Sequence, residues 1–498
     1  MRHTAVGLAL LLSALAVAAS AWVSATVFER MPHLEDEFAY VWQAQVFAAG
    51  KLTLATPQFA DSFLVPFVVD FNGRRFSKYP PGWQAALAVG EFFGGRDWVN
   101  PLLAGVCVWL TFRLGQKLRD EITGLLAALL TATSPFFLMN SGSLLSHLWG
   151  LTLTLAFFLG WLDAFGNTGE NHQPPRLPLT VAGLALGMLA LTRPLTAVGV
   201  AIPFILHSAV LWWRGNWMVR RALLGFALLA GAVAGLLLVW QWLVTGNALT
   251  NPYTLWWEYD KVGFGAGYGV TQSGHTPRIG WINTRFSLSV GYGDLFGWGR
   301  FSWILLPFGV WSLRREWRAW LVLGAFPVLV GLYLAYWVGA WLFGPRYYFE
   351  ALPALTIASA AGAVWLAGWG SAAGRWLRAR RLGMTAVLLL LLWLNVWFYL
   401  PPRLQMMHNL YGIGRMRLAP FETEMAQALA PALVIVQTER WMPYSALTTL
   451  QTPFLDSPFI FALSIGPRTD AALIRAYSGK RVILWYDPQQ PDELIGVP

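Results

Sequence analysis

The chain opens with TAVGLALLLSALAVAASAWVSATVF (4–28), a predominantly apolar run, and continues with the polar stretch ERMPHLEDEFAY (29–40). The first stretch is long enough to be a membrane-spanning helix, which needs about 20 residues to cross a hydrocarbon core of about 30 Å. A cleaved signal peptide is the alternative, because the small residues at 18–20 would suit a cleavage site. The apolar stretch exceeds the usual core of a signal peptide, so we favour an uncleaved anchor.

The same apolar pattern recurs throughout the 498 residues. Hydrophobic residues make up 56% of the chain and charged residues 12%, whereas a soluble domain carries about 25% charged residues. We therefore predict an all-α polytopic membrane protein with about 11 transmembrane helices. The predicted spans are 4–28, 99–118, 122–140, 144–165, 179–192, 195–213, 222–244, 301–313, 319–341, 347–368 and 384–400.

The basic residues predict how the chain is oriented. The formal net charge is +10, but Lys and Arg are clustered in short loops, as expected for the cytoplasmic side of a membrane protein. Their distribution therefore gives no support for nucleic-acid binding. It predicts a multi-pass protein of the cytoplasmic (inner) membrane, with its N-terminus inside and its C-terminus outside. The basic loops on one side are 113–119, 214–221, 314–318 and 375–381.

Three large segments are then extracytoplasmic. They are a first loop (29–98), a second loop rich in Gly and aromatic residues (245–300), and a tail (401–498) that follows a transmembrane domain (1–400). Within the tail, LVIVQ (433–437), FIFAL (459–463) and RVILWY (481–486) are typical of short buried strands, and 470–477 of a helix. The tail is predicted to be a small, soluble α/β domain.

Three consecutive acids, Glu35, Asp36 and Glu37, follow the first span. The helical spacing of the apolar residues after them, beginning at Tyr40, predicts a helix that lies along the membrane surface. Carboxylates at its start are explained by the positive end of the helix dipole alone. The functional interpretation is that Asp36 or Glu37, held where water meets lipid, acts as a general base or a metal ligand.

A second motif is FSKYPPG (76–82), near the end of the first loop. Its two prolines fix a rigid corner that would direct Lys78 towards the membrane face. A lysine there is a compact cation suited to a phosphate group. The alternative is that Lys78 snorkels to the lipid headgroups.

Further candidates lie at the outer ends of later spans. Arg193 lies in LTRP (191–194) and Arg346 in GPRYY (344–348). Cations at this depth are costly and are usually paired or functional, although an interfacial anchor also explains Arg346. His147 begins another span from the same side, and a lone histidine is more often simply packed.

Aromatic residues near these charges are candidates for binding an acceptor or for forming a lid. They are Tyr40, Tyr347 and, in the second loop, Trp256 and Tyr259. The second loop could equally be a membrane-lying flap without a catalytic role.

Taken in order, four motifs resemble those of the GT-C superfamily of polytopic glycosyltransferases, in particular its bacterial aminoarabinose-transferase and protein O-mannosyltransferase branch. They are DE with AY (36–40), KYPPG (78–82), LTRP (191–194) and GPRYY (344–348). The resemblance covers roughly residues 1–400.

The resemblance implies an inverting glycosyltransferase that moves a sugar from a polyprenyl-phosphate donor to an acceptor outside the cytoplasmic membrane. Asp36 would deprotonate the acceptor hydroxyl with support from Glu37, and Lys78, Arg346 and Arg193 would hold the donor phosphate. The general chemistry agrees, because such a transfer needs a base and cations for the departing phosphate.

The sequence departs from this pattern in one loop. Relatives often carry a second acid after the third span, whereas the corresponding loop here reads NSGSLLSH (140–147). Divalent-metal dependence therefore stays open, with His147 as the residue that would replace the missing ligand. The sequence does not identify the sugar or the acceptor.

Two other functions are alternatives. A transporter or flippase of lipid-linked glycans would place functional charges near the bilayer midplane, but the apolar runs here contain almost no acids. A scaffold whose tail binds a partner is the third interpretation.

Overall fold

The computed structural model describes residues 2–166, 174–371, 374–490 and 494–496. Within these ranges, seven helices are long and apolar enough to cross a membrane. They are His3–Thr26, Arg96–Leu118, His147–Phe165, Pro194–Arg214, Trp217–Thr245, Arg346–Ala367 and Arg375–Glu422, the last of which includes shorter helical segments after Leu394. The protein is therefore a multi-pass membrane protein.

One further span is bent. Glu121–Ala132 and Pro135–Gly142 meet at an angle of 59° and together make an eighth candidate. The break occurs because Ser134 caps the second helix, its side chain accepting a hydrogen bond from the backbone N–H of Phe137, and Pro135 has no N–H with which to continue the first.

The predicted number of about 11 spans is not confirmed. Among the described residues, the other apolar helices are shorter, and the predicted spans 301–313 and 319–341 consist of several pieces. These pieces are Gly299–Trp303, Leu306–Leu313, Trp317–Leu323 and Ala325–Tyr333, and a further short apolar helix is Arg176–Thr192.

Small residues let the spans pack closely, as is common between membrane helices. A Cβ atom added at Gly115 would lie 2.8 Å from the Cα of Gly124, and one at Gly309 would lie 1.7 Å from the carbonyl oxygen of Ala358. Packed aromatic rings such as those of Phe158 and Phe204, whose centroids are 5.1 Å apart, fill the space between other helices.

The first loop forms a helix, a small sheet and a second helix. Its elements are Glu35–Ala48, the antiparallel strands Leu54–Ala55, Val68–Phe71 and Arg74–Ser77, and the helix Pro81–Phe92. Asn72 and Gly73 both have positive φ, as a two-residue hairpin turn of the I′ type requires. This turn sends the chain back so that Lys78 follows the last strand directly.

The second loop contains the helices Tyr253–Trp256 and Pro277–Asp294. Between them the backbone is irregular, and Val262 forms an isolated β-bridge with Tyr336. The second loop is thereby attached to the segment that leads to Arg346.

The tail contains the predicted strands and helix. Ala432–Val436 pairs in parallel with Phe459–Leu463 on one side and Val482–Tyr486 on the other, and Leu494–Gly496 adds an antiparallel edge. The helix between the second and third of these strands is Pro467–Tyr477. Other short helices of the tail are Leu400–Gln405, Leu410–Gly412, Arg415–Arg417, Ala419–Glu422, Glu424–Gln427, Trp441–Leu447 and Thr448–Leu450.

The tail does not stand apart from the first loop. The backbone N–H of Leu463 donates to the carbonyl oxygen of Ser62 at 2.7 Å, and Phe63 is buried in the same cluster as Leu433 and Ile435 of the central strand. The first loop and the tail therefore share one hydrophobic core at one end of the helical bundle.

Candidate active site

Glu37 holds the start of the helix Glu35–Ala48 in place. Its Oε2 accepts hydrogen bonds from the backbone N–H groups of His33 at 2.8 Å and Leu34 at 3.0 Å, and its Oε1 accepts one from Leu144 at 2.7 Å. Burial raises the pKa of the Glu37 carboxyl to about 7, although these three hydrogen bonds oppose the shift. Both carboxylate oxygens are thus engaged by the backbone, and the residue links this helix to the loop 140–147.

Asp36 faces another direction and meets two side chains. Its Oδ2 lies 3.3 Å from Nη2 of Arg346, and its Oδ1 accepts a hydrogen bond from the hydroxyl of Tyr79. The side chain of Asp36 remains 20% exposed. It is therefore a positioned carboxylate that a small molecule can still reach.

Lys78 is buried and already has a counterion. Its Nζ lies 3.1 Å from Oδ2 of Asp260 in the second loop, and the two side chains are 3% and 1% exposed. The ammonium group lies 3.6 Å from the ring centroid of Phe67 and 4.7 Å from that of Trp257. Burial lowers the pKa of Lys78, and the charge of Asp260 opposes this shift.

A third ion pair lies deeper in the bundle. Nε of Arg193 is 2.9 Å from Oε1 of Glu350, which is fully buried, and Nδ1 of His147 is 3.7 Å from the same oxygen. The guanidinium also donates to Ser146 at 3.4 Å, and Tyr40 lies 3.5 Å from that serine. Arg193 is therefore connected to the helix that carries Asp36.

Tyrosine rings join the three ion pairs into one site. The ring of Tyr40 lies 4.7 Å from that of Tyr79, and the ring of Tyr347 is stacked at 4.8 Å on that of Tyr333. Tyr336 lies 5.6 Å from Tyr347 and donates a hydrogen bond to Asp260 at 2.9 Å. We call the six ionic residues the charge cluster: Asp36, Lys78, Arg193, Asp260, Arg346 and Glu350.

The charge cluster pairs three carboxylates with three cations, so its formal charges balance. Arg346 still has unused capacity, because its Nη1 is buried and has no hydrogen-bond partner among the described residues. A buried donor without a partner is costly, which makes this atom a candidate contact for an anionic ligand.

The predicted residues of the second loop are placed less directly. The ring of Trp256 lies 5.6 Å from that of Phe67, and Tyr259 stacks at 5.9 Å on Trp257. Trp257, rather than Trp256, contacts the Lys78 amine. Both predicted residues therefore border the charge cluster through a neighbouring ring.

Sequence reasoning did not select Tyr79, Asp260 or Glu350 for the site. An acid within the aromatic stretch WWEYD (256–260) was the available signal for Asp260. Tyr79 could have been selected because it adjoins Lys78 in the KYPPG motif. Glu350 was available as the acid that follows the GPRYY motif (344–348) by two residues.

The donor set for a metal ion is small. In the part of the chain that the structure describes, no group of three or more His, Cys, Asp and Glu side chains is arranged to hold a metal. Around His147 the nearest acid is Glu350, which Arg193 already neutralises.

The sequence matches no protein-family profile and no curated protein, but the fold matches solved structures. ArnT of Cupriavidus metallidurans, bound to undecaprenyl phosphate, superposes with a TM-score of 0.61 and 14% identity, over 95% of this chain and 92% of that one. The Archaeoglobus fulgidus oligosaccharyltransferase AglB, in complex with an inhibitory peptide and a dolichol-phosphate, superposes with a TM-score of 0.53 and 11% identity, over 95% of this chain and 69% of that one. The chain therefore has the fold of GT-C membrane glycosyltransferases.

Proposed function

We propose that the protein is a glycosyltransferase that moves a sugar from a polyprenyl-phosphate donor to an acceptor hydroxyl. The observation that carries this proposal is the partly exposed Asp36, paired with Arg346 and bonded to Tyr79, at the end of the bundle where both loops and the tail meet. ArnT and AglB, which share the fold, were crystallised with undecaprenyl phosphate and a dolichol-phosphate. A polyprenyl-phosphate carrier fits both observations.

In this proposal Asp36 is the general base. The acceptor oxygen attacks the anomeric carbon as Asp36 takes the hydroxyl proton, and the bond between that carbon and the phosphate oxygen breaks. Attack opposite the leaving group inverts the anomeric centre. Tyr79 and Arg346 hold the Asp36 carboxylate in position, and general-base catalysis of this kind contributes about 10²–10⁴-fold.

The departing phosphate takes the electron pair of the broken bond and needs positive charge. Arg346 supplies it while contacting Asp36, because its Nη1 has no hydrogen-bond partner in the part of the chain that the structure describes and its Nη2 faces the carboxylate. Lys78 and Arg193 add further positive charge in this proposal. Preorganised donors of this kind are the largest contribution in many enzymes, and the proposal does not invoke a metal ion.

The remaining predicted residues are assigned by position. Tyr40 and Tyr347 border the charge cluster and are proposed to contact the acceptor, whereas Trp256 and Tyr259 belong to a lid formed by the second loop. We place the boundary of the transmembrane domain at residue 400 and assign the tail (401–498) to the extracytoplasmic side of the inner membrane, with the N-terminus inside. Glu37 supports Asp36 by fixing the helix rather than by reacting.

The test is sugar release from a panel of polyprenyl-phosphate sugars by the purified protein, with and without chelator. The wild type should release the sugar from at least one of these donors, and Asp36→Asn should release it from none. Asp61→Asn is the matched control, since Asp61 is an exposed acid of the same loop. A lipid-linked glycan that instead crosses vesicle membranes unchanged would identify the flippase alternative.

A further inference from the structure

The Lys78 amine is enclosed on several sides. Besides Phe67 and Trp257, it lies 5.2 Å from the ring centroid of Tyr253, and Asp260 provides its only ion-pair partner among the described residues. Phe67 has a φ of +60°, a conformation that is strained for a bulky residue and is concentrated at functional sites. The backbone is thus strained where its ring contacts the ammonium group.

Asp260 is held independently of Lys78. Its Oδ1 accepts hydrogen bonds from the hydroxyl of Tyr336 at 2.9 Å and from Nε1 of Trp337 at 3.1 Å, which leaves Oδ2 for the lysine. Both donors lie on the segment that leads to Arg346. The carboxylate is therefore a preorganised anion within the site rather than a mobile surface group.

A carboxylate and a phosphate cannot both use Lys78 in this enclosure. The second anion would lie beside the first in a poorly solvated space, where like charges repel strongly. We infer that Asp260 sets the affinity and specificity of the donor site, because it occupies the Lys78 amine as an internal anion that the donor phosphate must displace. This inference rests on the proposed function, in which Lys78 binds that phosphate.

The stretch after Asp260 is rich in glycine, which can change its backbone conformation without a steric penalty. It contains Gly263, Gly265, Gly267 and Gly269, all with positive φ, and several of its residues between 261 and 267 are exposed. Donor binding then frees the carboxylate and the loop together. Only ligands whose phosphate outcompetes the carboxylate open the site.

The experiment measures undecaprenyl phosphate binding to the full-length protein in nanodiscs. Asp260→Asn keeps an oxygen that accepts from Tyr336 and Trp337 but removes the competing charge. It should bind undecaprenyl phosphate at least about tenfold more tightly than the wild type, as expected if about a tenth or less of the wild-type molecules have a free Lys78. Without lipid it should melt earlier, because Lys78 loses its counterion, and added lipid should raise its melting temperature more than that of the wild type.

Two variants serve as controls. Asp260→Glu restores the charge and should return the affinity to the wild-type range. Glu258→Gln removes a charge from an exposed position of the same loop and should change neither affinity nor melting temperature. Inorganic phosphate, titrated in parallel, separates headgroup recognition from binding of the isoprenoid chain.

The outcomes separate the two proposals. If the wild type binds undecaprenyl phosphate and Asp260→Asn binds it no more tightly, the competition is disproved and the donor site stands. If neither binds it, the proposed function fails. Should Asp260→Asn not fold, Tyr336→Phe weakens the hold on Asp260 more gently, and an affinity that does not rise in that variant also disproves the competition.

Discussion

Replacing Glu37 by Ala tests whether this acid is structural, although it adjoins the proposed base. The substitution leaves the backbone N–H groups of His33, Leu34 and Leu144 without their acceptor. An unsatisfied buried group costs about 1–3 kcal/mol, so three of them cost about 6 kcal/mol. The substitution also removes a carboxylate whose pKa burial raises from 4.5 to about 7, which returns about 3 kcal/mol at neutral pH. The expected net loss of stability is about 3 kcal/mol.

The assay measures unfolding of the purified protein in detergent, induced by denaturant or by heat. Glu35→Ala is the matched control, because Glu35 begins the same helix and none of the three amides depends on it. It should change the free energy of unfolding by less than about 1 kcal/mol. Glu37→Ala that is as stable as the wild type, yet inactive, would refute a structural role and indicate that Glu37 reacts.

Three further substitutions test the charge cluster. Tyr79→Phe removes the hydroxyl that bonds Asp36 and should lower the rate of sugar transfer about tenfold, since a hydrogen bond to a charged group contributes about 1.5 kcal/mol. Burial lowers the pKa of Lys78 below the ordinary lysine value of 10.5, so Lys78 should lose its charge, and undecaprenyl phosphate should bind more weakly, as the pH rises towards that value. Lys78→Arg, whose side chain stays charged, should keep its affinity over the same pH range. Gly150→Ala would place a Cβ 2.6 Å from Oε1 of Glu350, and we expect it to lower the free energy of unfolding by about 1–3 kcal/mol.

Controls for these substitutions come from exposed or open positions. Tyr292→Phe alters an exposed tyrosine, and Gly231→Ala adds a methyl group on a span at a position where, among the described residues, no atom outside the helix's own backbone lies within 4 Å. Both should behave as the wild type. If Tyr79→Phe transfers sugar at the wild-type rate, its hydrogen bond to Asp36 does not contribute to the reaction. If wild-type binding of undecaprenyl phosphate persists up to the ordinary lysine pKa, the lowered pKa of Lys78 is contradicted. If Gly150→Ala is as stable as the wild type, the close contact with Glu350 is contradicted.

Apolar runs predict the long spans well, because the bilayer leaves little choice of structure for them. They do not predict where a span breaks, since this depends on local capping such as that of Ser134 before Pro135. The strands of the tail were predictable for a related reason, as parallel strands buried on both faces are continuously apolar. Their contact with Ser62 and Phe63 of the first loop was not, because nothing local encodes it.

In the candidate site, too, the local sequence predicts some features, whereas others depend on contacts between distant parts of the chain. The sequence indicates a reactive acid after the first span, but consecutive residues on a helix point about 100° apart. Asp36 therefore faces Arg346 while Glu37 faces the loop at Leu144, and only the resemblance to GT-C motifs, not the local sequence pattern, distinguished them. The partner of Lys78 lies 182 residues further along the chain, so the sequence shows a free cation where the fold has an ion pair. The catalytic and phosphate-binding roles themselves stay predictions.

The decisive measurement compares Asp36→Asn with the wild type in two assays on the same preparation. Sugar transfer from a polyprenyl-phosphate donor, in membranes that supply the acceptor, should fall by at least about 10²-fold. Binding of undecaprenyl phosphate should be no weaker, because Arg346 loses a competing carboxylate. Transfer at the wild-type rate by Asp36→Asn would contradict the assignment of the base and, with it, the proposed mechanism.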